Sequence, residues 1–295
     1  MLTYIAQQMV NGFVLGSMYA LLALGMTVVY GILRLVNFAH GGLVTIGAFI
    51  FFYALSVLKI NFALTLVLAV LSGACLGFLL DFVAYRKLRG GPEVALLITS
   101  LGVYIFIENI TKLLASPQPY AFRPPPLFLQ RFTFKGIIFS NTDIFIVIAA
   151  VVIMVTFAVF VKRTKLGIAM RATAERIETA RLMGINTNKV IVTAFVLGSA
   201  IATITGFMWG AKYGQISYDM GFMAGVKAFV ATVIGGVGSI PGAMVGGFLL
   251  GFAEILLVGA LPAGFAEYRD AFVFTILLIV LLLRPTGLMG RKEAL

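Results

Sequence analysis

Charged residues are scarce in this chain. They make up 11% of its 295 residues, whereas hydrophobic residues make up 61%. A soluble domain carries about 25% charged residues, because its surface must be polar. A surface that faces lipid has no such need. The composition therefore excludes an ordinary soluble domain and predicts a protein embedded in a membrane.

Cysteine and histidine are nearly absent, with one residue of each type, Cys75 and His40. A single cysteine cannot form an internal disulfide, and a lone histidine without paired cysteines argues against a metal site. The chain also lacks the phosphate loop G-x-x-x-x-G-K-[ST] and the hydrolase patterns H-E-x-x-H and G-x-S-x-G. We therefore expect no ATP hydrolysis and no cofactor in this chain. A membrane-embedded enzyme is kept as an alternative of another class.

Long apolar runs fill most of the sequence. A helix needs about 20 mostly apolar residues to cross a hydrocarbon core about 30 Å thick, and helices satisfy their own backbone groups in lipid. We predict a single all-α, polytopic membrane domain, 1–295, with about eight or nine transmembrane helices. The predicted spans are 8–30, 40–58, 62–84, 94–114, 143–161, 190–210, 221–238, 241–259 and 268–284. The Gly-rich pair within 221–259 is predicted as two short spans or as a broken, re-entrant element.

Basic residues are concentrated in alternate loops. With the N-terminus outside, the loops assigned to the inside hold 14 Lys and Arg, and those assigned to the outside hold 7. Cytoplasmic loops collect Lys and Arg, so the bias places loop 115–142 outside, and loop 162–189 and the C-terminus in the cytoplasm. The same distribution explains the net charge of +11 without nucleic-acid binding. The first basic residue is Arg34, so the basic region of a cleavable signal peptide is missing and the first helix is expected to be retained.

Loop 115–142 holds five of the nine prolines. Proline fixes φ and removes a hydrogen-bond donor, which predicts an extended, non-helical segment. The stretch after the prolines predicts a short β-hairpin that turns at Lys135 and Gly136. The loop is either a solvent-facing connector, a cap over the outer mouth, or a contact for an external partner.

Loop 162–189 carries an amphipathic pattern. Apolar residues recur at spacings of three and four, which predicts one helix of about four turns; they are Leu166, Met170, Ala174, Ile177 and Ala180. The opposite face is charged. Gly184 is placed just past the helix C-terminus, and Thr187 or Asn188 can cap the next span. Such a helix either lies on the membrane surface or docks into a groove on a cytosolic partner.

Three stretches resemble one known family. They are VNFAHG at 36–41, GIAMRATAERIETARLMGI at 167–185 and IGGVGSIPGAMVGG at 234–247. Together they resemble the LivH-type permeases of bacterial branched-chain amino acid ABC importers. Permeases for urea and short amides share similar motifs and are kept as an alternative, as is a secondary transporter driven by an ion gradient.

The resemblance implies a set of partners and a location. It implies a second permease subunit of the LivM type and two cytosolic ATPase subunits that bind ATP and Mg. It also implies a periplasmic or extracellular substrate-binding protein and a bacterial inner membrane. Loop 162–189 would then hold the coupling helix that docks on the ATPase, and the residues carried over to that element are Arg171, Ala172, Glu175, Glu178 and Gly184.

Lys227 and Glu254 are charged residues predicted to lie at bilayer depth, where a charge needs a partner or a cavity. If their segments turn near Ser239 and Ile240, Lys227 lies 13 residues before the turn and Glu254 lies 14 after it. At about 1.5 Å per residue, both reach about 20 Å from the turn. We therefore predict that they pair or face a shared polar cavity.

Four other polar residues fall within predicted spans or at their ends. Glu108 and Lys112 are spaced i, i+4 and are predicted to pair. Asn37 and His40 open the second span and are predicted either to be hydrogen-bonded packing residues or to line the pathway.

Glycines are dense at 234–247. Gly235, Gly236, Gly238 and Gly242, together with Pro241, are candidates for a helix break that exposes backbone groups to substrate, as in transporters. The alternative is that Gly242 and its neighbours only allow close approach of two helices.

Overall fold

The computed structural model describes residues 2–260, 268–284 and 286–290. Within these ranges the chain forms twelve α-helices and four short strands. In chain order they are α1 Leu2–Leu33, α2 Ala39–Phe52, α3 Phe62–Leu79, α4 Glu93–Leu114, β1 Tyr120–Ala121, α5 Pro126–Leu129, β2 Arg131–Phe134, β3 Ile137–Ser140, α6 Asn141–Arg163, α7 Lys165–Glu175, α8 Ile177–Leu182, α9 Thr187–Tyr213, β4 Gln215–Ile216, α10 Met220–Gly235, α11 Ile240–Ala260 and α12 Arg269–Leu283. We call the end of the bundle that carries residues 115–142 the hairpin end. The end that carries residues 162–189 is the basic end.

Each predicted span contains a helix, which confirms the all-α fold class. In the described ranges, seven helices are long and apolar enough to cross a membrane: Thr3–Leu33, Ala39–Val57, Phe62–Leu88, Glu93–Leu114, Asn141–Arg163, Thr187–Tyr213 and Ile240–Gly259. The other two predicted spans are shorter, since α10 has 16 residues and α12 has 15. The predicted number of eight or nine spans is therefore approximate.

The last long helix, α11, forms an antiparallel pair with α10. The two helices are joined by a tight turn at 236–239 and pack along each other. At about 1.5 Å per residue, α10 is about 24 Å long and α11 about 32 Å. Only α11 matches the thickness of a bilayer, so α10 is the short arm of this helical hairpin.

Helix α1 forms the centre of the bundle and packs against α9, α10 and α11. Its contact with α11 depends on glycine: a Cβ atom on Gly251 would collide with the backbone of Gly16. Close approach of this kind is how membrane helices gain packing energy without a hydrophobic driving force between them. Peripheral helices α3, α4 and α6 instead expose apolar side chains such as Leu71, Phe106 and Val152.

The connection between α1 and α2 enters the bundle. His40, at the start of α2, lies against Gly25 of α1, and Gly25 contacts Gly198 near the middle of α9. Helix α2 therefore begins at mid-depth and not at the basic end. Backbone groups inside a membrane protein need hydrogen-bond partners. In the segment before α2, Ser100 Oγ supplies one by donating to the Val36 carbonyl at 3.2 Å.

The predicted hairpin in loop 115–142 is confirmed. β2 and β3 pair antiparallel with Phe134 opposite Ile137, and the turn residues Lys135 and Gly136 have φ of 49° and 82°. The prediction that the whole loop is non-helical is wrong over Pro126–Leu129, which forms the single turn α5. Proline suits the first position of a helix, where its missing N–H has no partner to lose.

The prediction of one continuous helix in 162–189 is also wrong. The segment forms α7 and α8, separated by Arg176 in an extended conformation with φ −154° and ψ 112°. The break lets α7 pack against α1 and α9 while α8 turns back to α9, which one straight helix cannot do. Gly184 follows α8 with φ +80°, as predicted. The cap of α9 is Asn186, whose side chain accepts from Lys189 N–H at 3.1 Å, and not Thr187 or Asn188.

Candidate functional site: a buried charge network and the basic-end helices

Lys227 and Glu254 form an ion pair inside the bundle. The Lys227 Nζ lies 2.9 Å from the Glu254 Oε1, and both side chains are buried. The pairing predicted from their equal distance to the turn is confirmed. It forms because α10 and α11 run antiparallel from a tight turn, so residues equally far from the turn share one level.

Three further residues complete a charge network around this pair. Tyr19 of α1 donates its hydroxyl to Glu254 Oε2 at 2.8 Å. At the start of α12, Arg269 Nε lies 3.0 Å from Glu254 Oε1, and Asp270 Oδ1 lies 2.7 Å from Lys227 Nζ. The network therefore joins α1, α10, α11 and α12.

The sequence prediction missed these three residues. Arg269 is one of the seven basic residues counted in the outside loops, and its neighbour Asp270 lies within the predicted span 268–284. A signal for Arg269 and Asp270 is present in the sequence, because two opposite charges stand at the start of an apolar run. Side chains at the start of a helix reach back toward its N-terminus. Tyr19 gives no such signal, because nothing in its local sequence distinguishes it from a packing tyrosine.

The charges of the network balance. Two cations face two carboxylates, and the Lys227 Nζ also lies 5.8 Å from the centroid of the Tyr19 ring. Arg269 and Asp270 stay partly open, with 44% and 34% of their side chains exposed. Desolvated charges are stable only when they are paired and hydrogen-bonded. The arrangement can hold four helices in register, and it leaves neither Lys227 nor Glu254 free to bind a ligand.

Asn37 and His40 are not members of the charge network. The Asn37 Oδ1 accepts a hydrogen bond of 2.7 Å from the Tyr85 hydroxyl, and both residues are buried. His40 is buried, and its Nε2 makes no hydrogen bond to any described residue. The four residues proposed for the pathway therefore do not join in one hydrogen-bonded cluster among the described residues.

The predicted pair between Glu108 and Lys112 is wrong. No ion pair joins them in the described part of the chain, and Lys112 Nζ instead lies 5.3 Å from the centroid of the Tyr218 ring.

In the described ranges, no three His, Cys, Asp or Glu side chains converge in a group that could hold a metal ion.

The candidate helix-break glycines lie at the turn between α10 and α11. Gly235 ends α10, Gly236 and Gly238 have φ of 111° and 80°, and Gly242 is in the first turn of α11. The carbonyls at this break are not free. Leu288 N–H donates to the Ile234 carbonyl and Met289 N–H to the Gly235 carbonyl, each at 2.9 Å. Gly242 packs so closely on Gly235 that a Cβ atom would lie 2.5 Å from the Gly235 oxygen.

At the basic end, α7 and α8 present a charged surface. Arg171, Glu175 and Glu178 are exposed and Ala172 is half-buried, while Met170 and Ala180 face the bundle. The end of α8 also exposes two large apolar side chains, which the sequence prediction did not single out; they are Leu182, 87% exposed, and Met183, 79% exposed. A pocket of about 360 Å³ lies beside the break at Arg176, between this segment and the end of α1.

Comparison with known proteins identifies a family that matches most of the chain. Residues 8–281 match the model of the family described as "Branched-chain amino acid transport system / permease component". The chain is 41% identical to the high-affinity branched-chain amino acid transport permease BraD of Pseudomonas aeruginosa, over 97% of this chain and 96% of that protein. It is 40% identical to LivH of Escherichia coli K12, over 98% and 97%.

A second type of permease is also similar. The chain is 30% identical to LivM of Escherichia coli K12, over 92% of this chain and 67% of that protein. No solved structure matches the chain significantly.

Proposed function

The chain belongs to the branched-chain amino acid transport permease family, and we propose that it is one of two permease subunits of an ATP-driven importer. The chain is a multi-pass membrane protein, and we place it in the bacterial inner membrane with the C-terminus in the cytoplasm. ATP and Mg would bind to two separate ATPase subunits, and a substrate-binding protein would deliver the substrate at the hairpin end.

The main support for a coupling role is the composition of the outward face of α7 and α8. Glu175 and Glu178 are exposed there beside Leu182 and Met183. Exposed apolar side chains rimmed by charged residues are typical of a contact with another protein or with the membrane, and the charges of Glu175 and Glu178 favour a protein here. The same segment is tied to the bundle, because Arg181 Nε donates to Thr187 Oγ1 at the start of α9 at 2.9 Å. Movement of an attached ATPase would therefore reach α9 directly.

Co-purification tests this role. Glu175→Arg reverses a charge on the proposed docking surface, and we expect it to reduce recovery of the ATPase subunits and ATP-dependent uptake. Glu93→Arg is the matched control, because Glu93 is also exposed at the basic end but lies on α4. Equal recovery of the ATPase with both variants would reject the assignment.

The substrate proposed for this chain is a branched-chain amino acid. The support is that BraD and LivH are branched-chain amino acid transport permeases, and this chain resembles both over nearly its whole length. Uptake of labelled leucine, isoleucine and valine by the reconstituted complex should exceed uptake of glutamate and urea. Preferential uptake of urea would favour the short-amide alternative, and uptake that needs an ion gradient but no ATP would favour a secondary transporter.

The second permease is proposed to be a different, LivM-type chain. The support is that this chain is similar to both LivH and LivM, with higher identity to LivH. Isolation of a complex with two copies of this chain and no second permease type would contradict the proposal.

A further inference from the structure

The β2–β3 hairpin is amphipathic. In an antiparallel pair, residues directly opposite each other share a face. One face, which we call the apolar face, therefore carries Phe132, Phe134, Ile137 and Phe139. The other face carries Arg131, Thr133, Ile138 and Ser140.

Two rings of the apolar face are left open by the described residues, whereas Ile137 and Phe139 are half-buried. Phe134 is 63% exposed and Phe132 is 44% exposed. The Phe132 and Phe139 rings stack on each other, with centroids 6.0 Å apart, so this face is preformed. Phe132 and Phe134 exposed together to water would be unfavourable, at roughly 25 cal/mol for each Å² of apolar surface.

The hairpin lies level with the ends of two membrane-crossing helices. Gln7 of α1 holds β3 by both polar atoms of its side-chain amide, which bond the N–H and the carbonyl of Ile138 at 2.8 and 2.9 Å. Tyr4, one turn earlier on α1, donates to the Gly259 carbonyl at the end of α11. These bonds fix the hairpin at the boundary of the bilayer and not far above it.

The surfaces beside the hairpin are apolar and exposed. On α1 they include Ile5 and Met9, and on α6, which begins directly after β3, they include Ile144 and Ile148. These side chains belong to helices that cross the membrane. The hairpin therefore lies beside helices whose exposed apolar side chains face lipid.

Two cations flank the apolar face. Arg131 is exposed at the start of β2, and the Lys135 Nζ lies 5.7 Å from the centroid of the Phe134 ring. Aromatic rings with neighbouring Lys and Arg are typical of segments at the level of lipid headgroups. In this arrangement the two cations can bind the phosphates of anionic phospholipids. The rings then reach the boundary between the headgroups and the acyl chains.

We propose that the 131–140 hairpin is a membrane-interface anchor, which inserts its apolar face at the headgroup level and binds anionic phospholipid through Arg131 and Lys135. The anchor fixes the hairpin end of α1 and α6 relative to the bilayer. It goes beyond the transport function and does not depend on which substrate is carried.

Spin labelling of the complex in vesicles tests the anchor. Cys75 is the only cysteine, so Cys75→Ser provides a background in which Phe134→Cys and Thr133→Cys can each carry a nitroxide. Both positions are exposed and adjacent but lie on opposite faces, so Thr133→Cys is the matched control. The vesicles contain phosphatidylethanolamine and phosphatidylglycerol, and collision rates are measured with oxygen, which enters lipid, and with a nickel chelate, which stays in water.

We expect the ratio of oxygen to nickel collisions to be severalfold higher at position 134 than at position 133. A higher share of phosphatidylglycerol should raise the ratio at 134, and Arg131→Gln with Lys135→Gln should remove that increase. Equal ratios at the two positions would overturn the proposal. Shielding of position 134 from both reagents would also overturn it, because that result means that a protein partner covers the apolar face. A ratio at position 134 that does not change with the share of phosphatidylglycerol would overturn it as well.

Discussion

Replacement of Lys227 by methionine tests whether the charge network stabilises the fold. Methionine keeps most of the volume of lysine but removes the charge. Glu254 would keep Arg269 at 3.0 Å and the Tyr19 hydroxyl at 2.8 Å. Asp270 would lose the contact of 2.7 Å and keep only Arg269 at 3.8 Å.

The expected cost follows from this partial compensation. Removal of one partner from a buried ion pair destabilises a protein by about 3–5 kcal/mol, because the other charge stays buried and unpaired. Glu254 retains two partners, so we expect Lys227→Met to cost about 3 kcal/mol, at the lower end of that range. The double variant Lys227→Met with Asp270→Asn restores a one-to-one balance between Arg269 and Glu254. It should recover about 1 kcal/mol, within the usual coupling energies of neighbouring residues.

Unfolding of the purified protein in detergent, followed by circular dichroism, gives the comparison. Lys212→Met is the control, because Lys212 pairs with Asp143 at 2.5 Å but keeps 29% of its side chain exposed, and exposed pairs contribute only about 0–1 kcal/mol. The reasoning is refuted if Lys227→Met is no more destabilising than Lys212→Met. It is also refuted if the Asp270→Asn change adds to the loss.

Three further predictions concern packing. Phe128→Ala should lower the free energy of unfolding by about 3–5 kcal/mol, because this buried ring lies 4.9–5.5 Å from three other rings. Phe134→Ala, at an exposed ring, should change the free energy of unfolding in detergent by less than about 0.5 kcal/mol. Equal effects would contradict the assigned core. Tyr85→Phe removes the hydrogen bond that the buried Asn37 side-chain oxygen accepts and should cost about 1–3 kcal/mol. The loss should exceed that of Tyr4→Phe, at an exposed tyrosine, with melting temperatures as the measurement. Gly251→Leu should reduce the monodisperse fraction in size-exclusion chromatography, because any Cβ there collides with α1, and a normal profile would disprove that contact.

Much of the fold follows from local patterns in the sequence. The length of each apolar run predicts the helices, and Lys135 with Gly136 predicts the turn of the hairpin. The position of Gly184 also follows from a local rule, since a left-handed residue commonly ends a helix. The pairing of Lys227 with Glu254 needs one more assumption, which is an antiparallel helical hairpin with its turn near Ser239.

Other features follow no local rule. The break at Arg176 lies inside a regular amphipathic pattern, and α2 begins at mid-depth although its apolar run looks like an ordinary span. In both places the backbone follows contacts with distant helices. Gly25, for instance, leaves room for the His40 ring and also packs against Gly198 of α9, which is far from both along the chain.

The sequence by itself determined that this chain crosses a membrane, where its helices begin and end to within a few residues, and which segments are basic. These properties depend on the hydrophobicity and backbone preferences of neighbouring residues. Only the tertiary structure decided that Tyr19, Arg269 and Asp270 join the buried pair, and that the 131–140 hairpin rests on α1 through Gln7. Those contacts join residues between 15 and 235 positions apart, and they depend on how the helices pack, which no short stretch of sequence specifies.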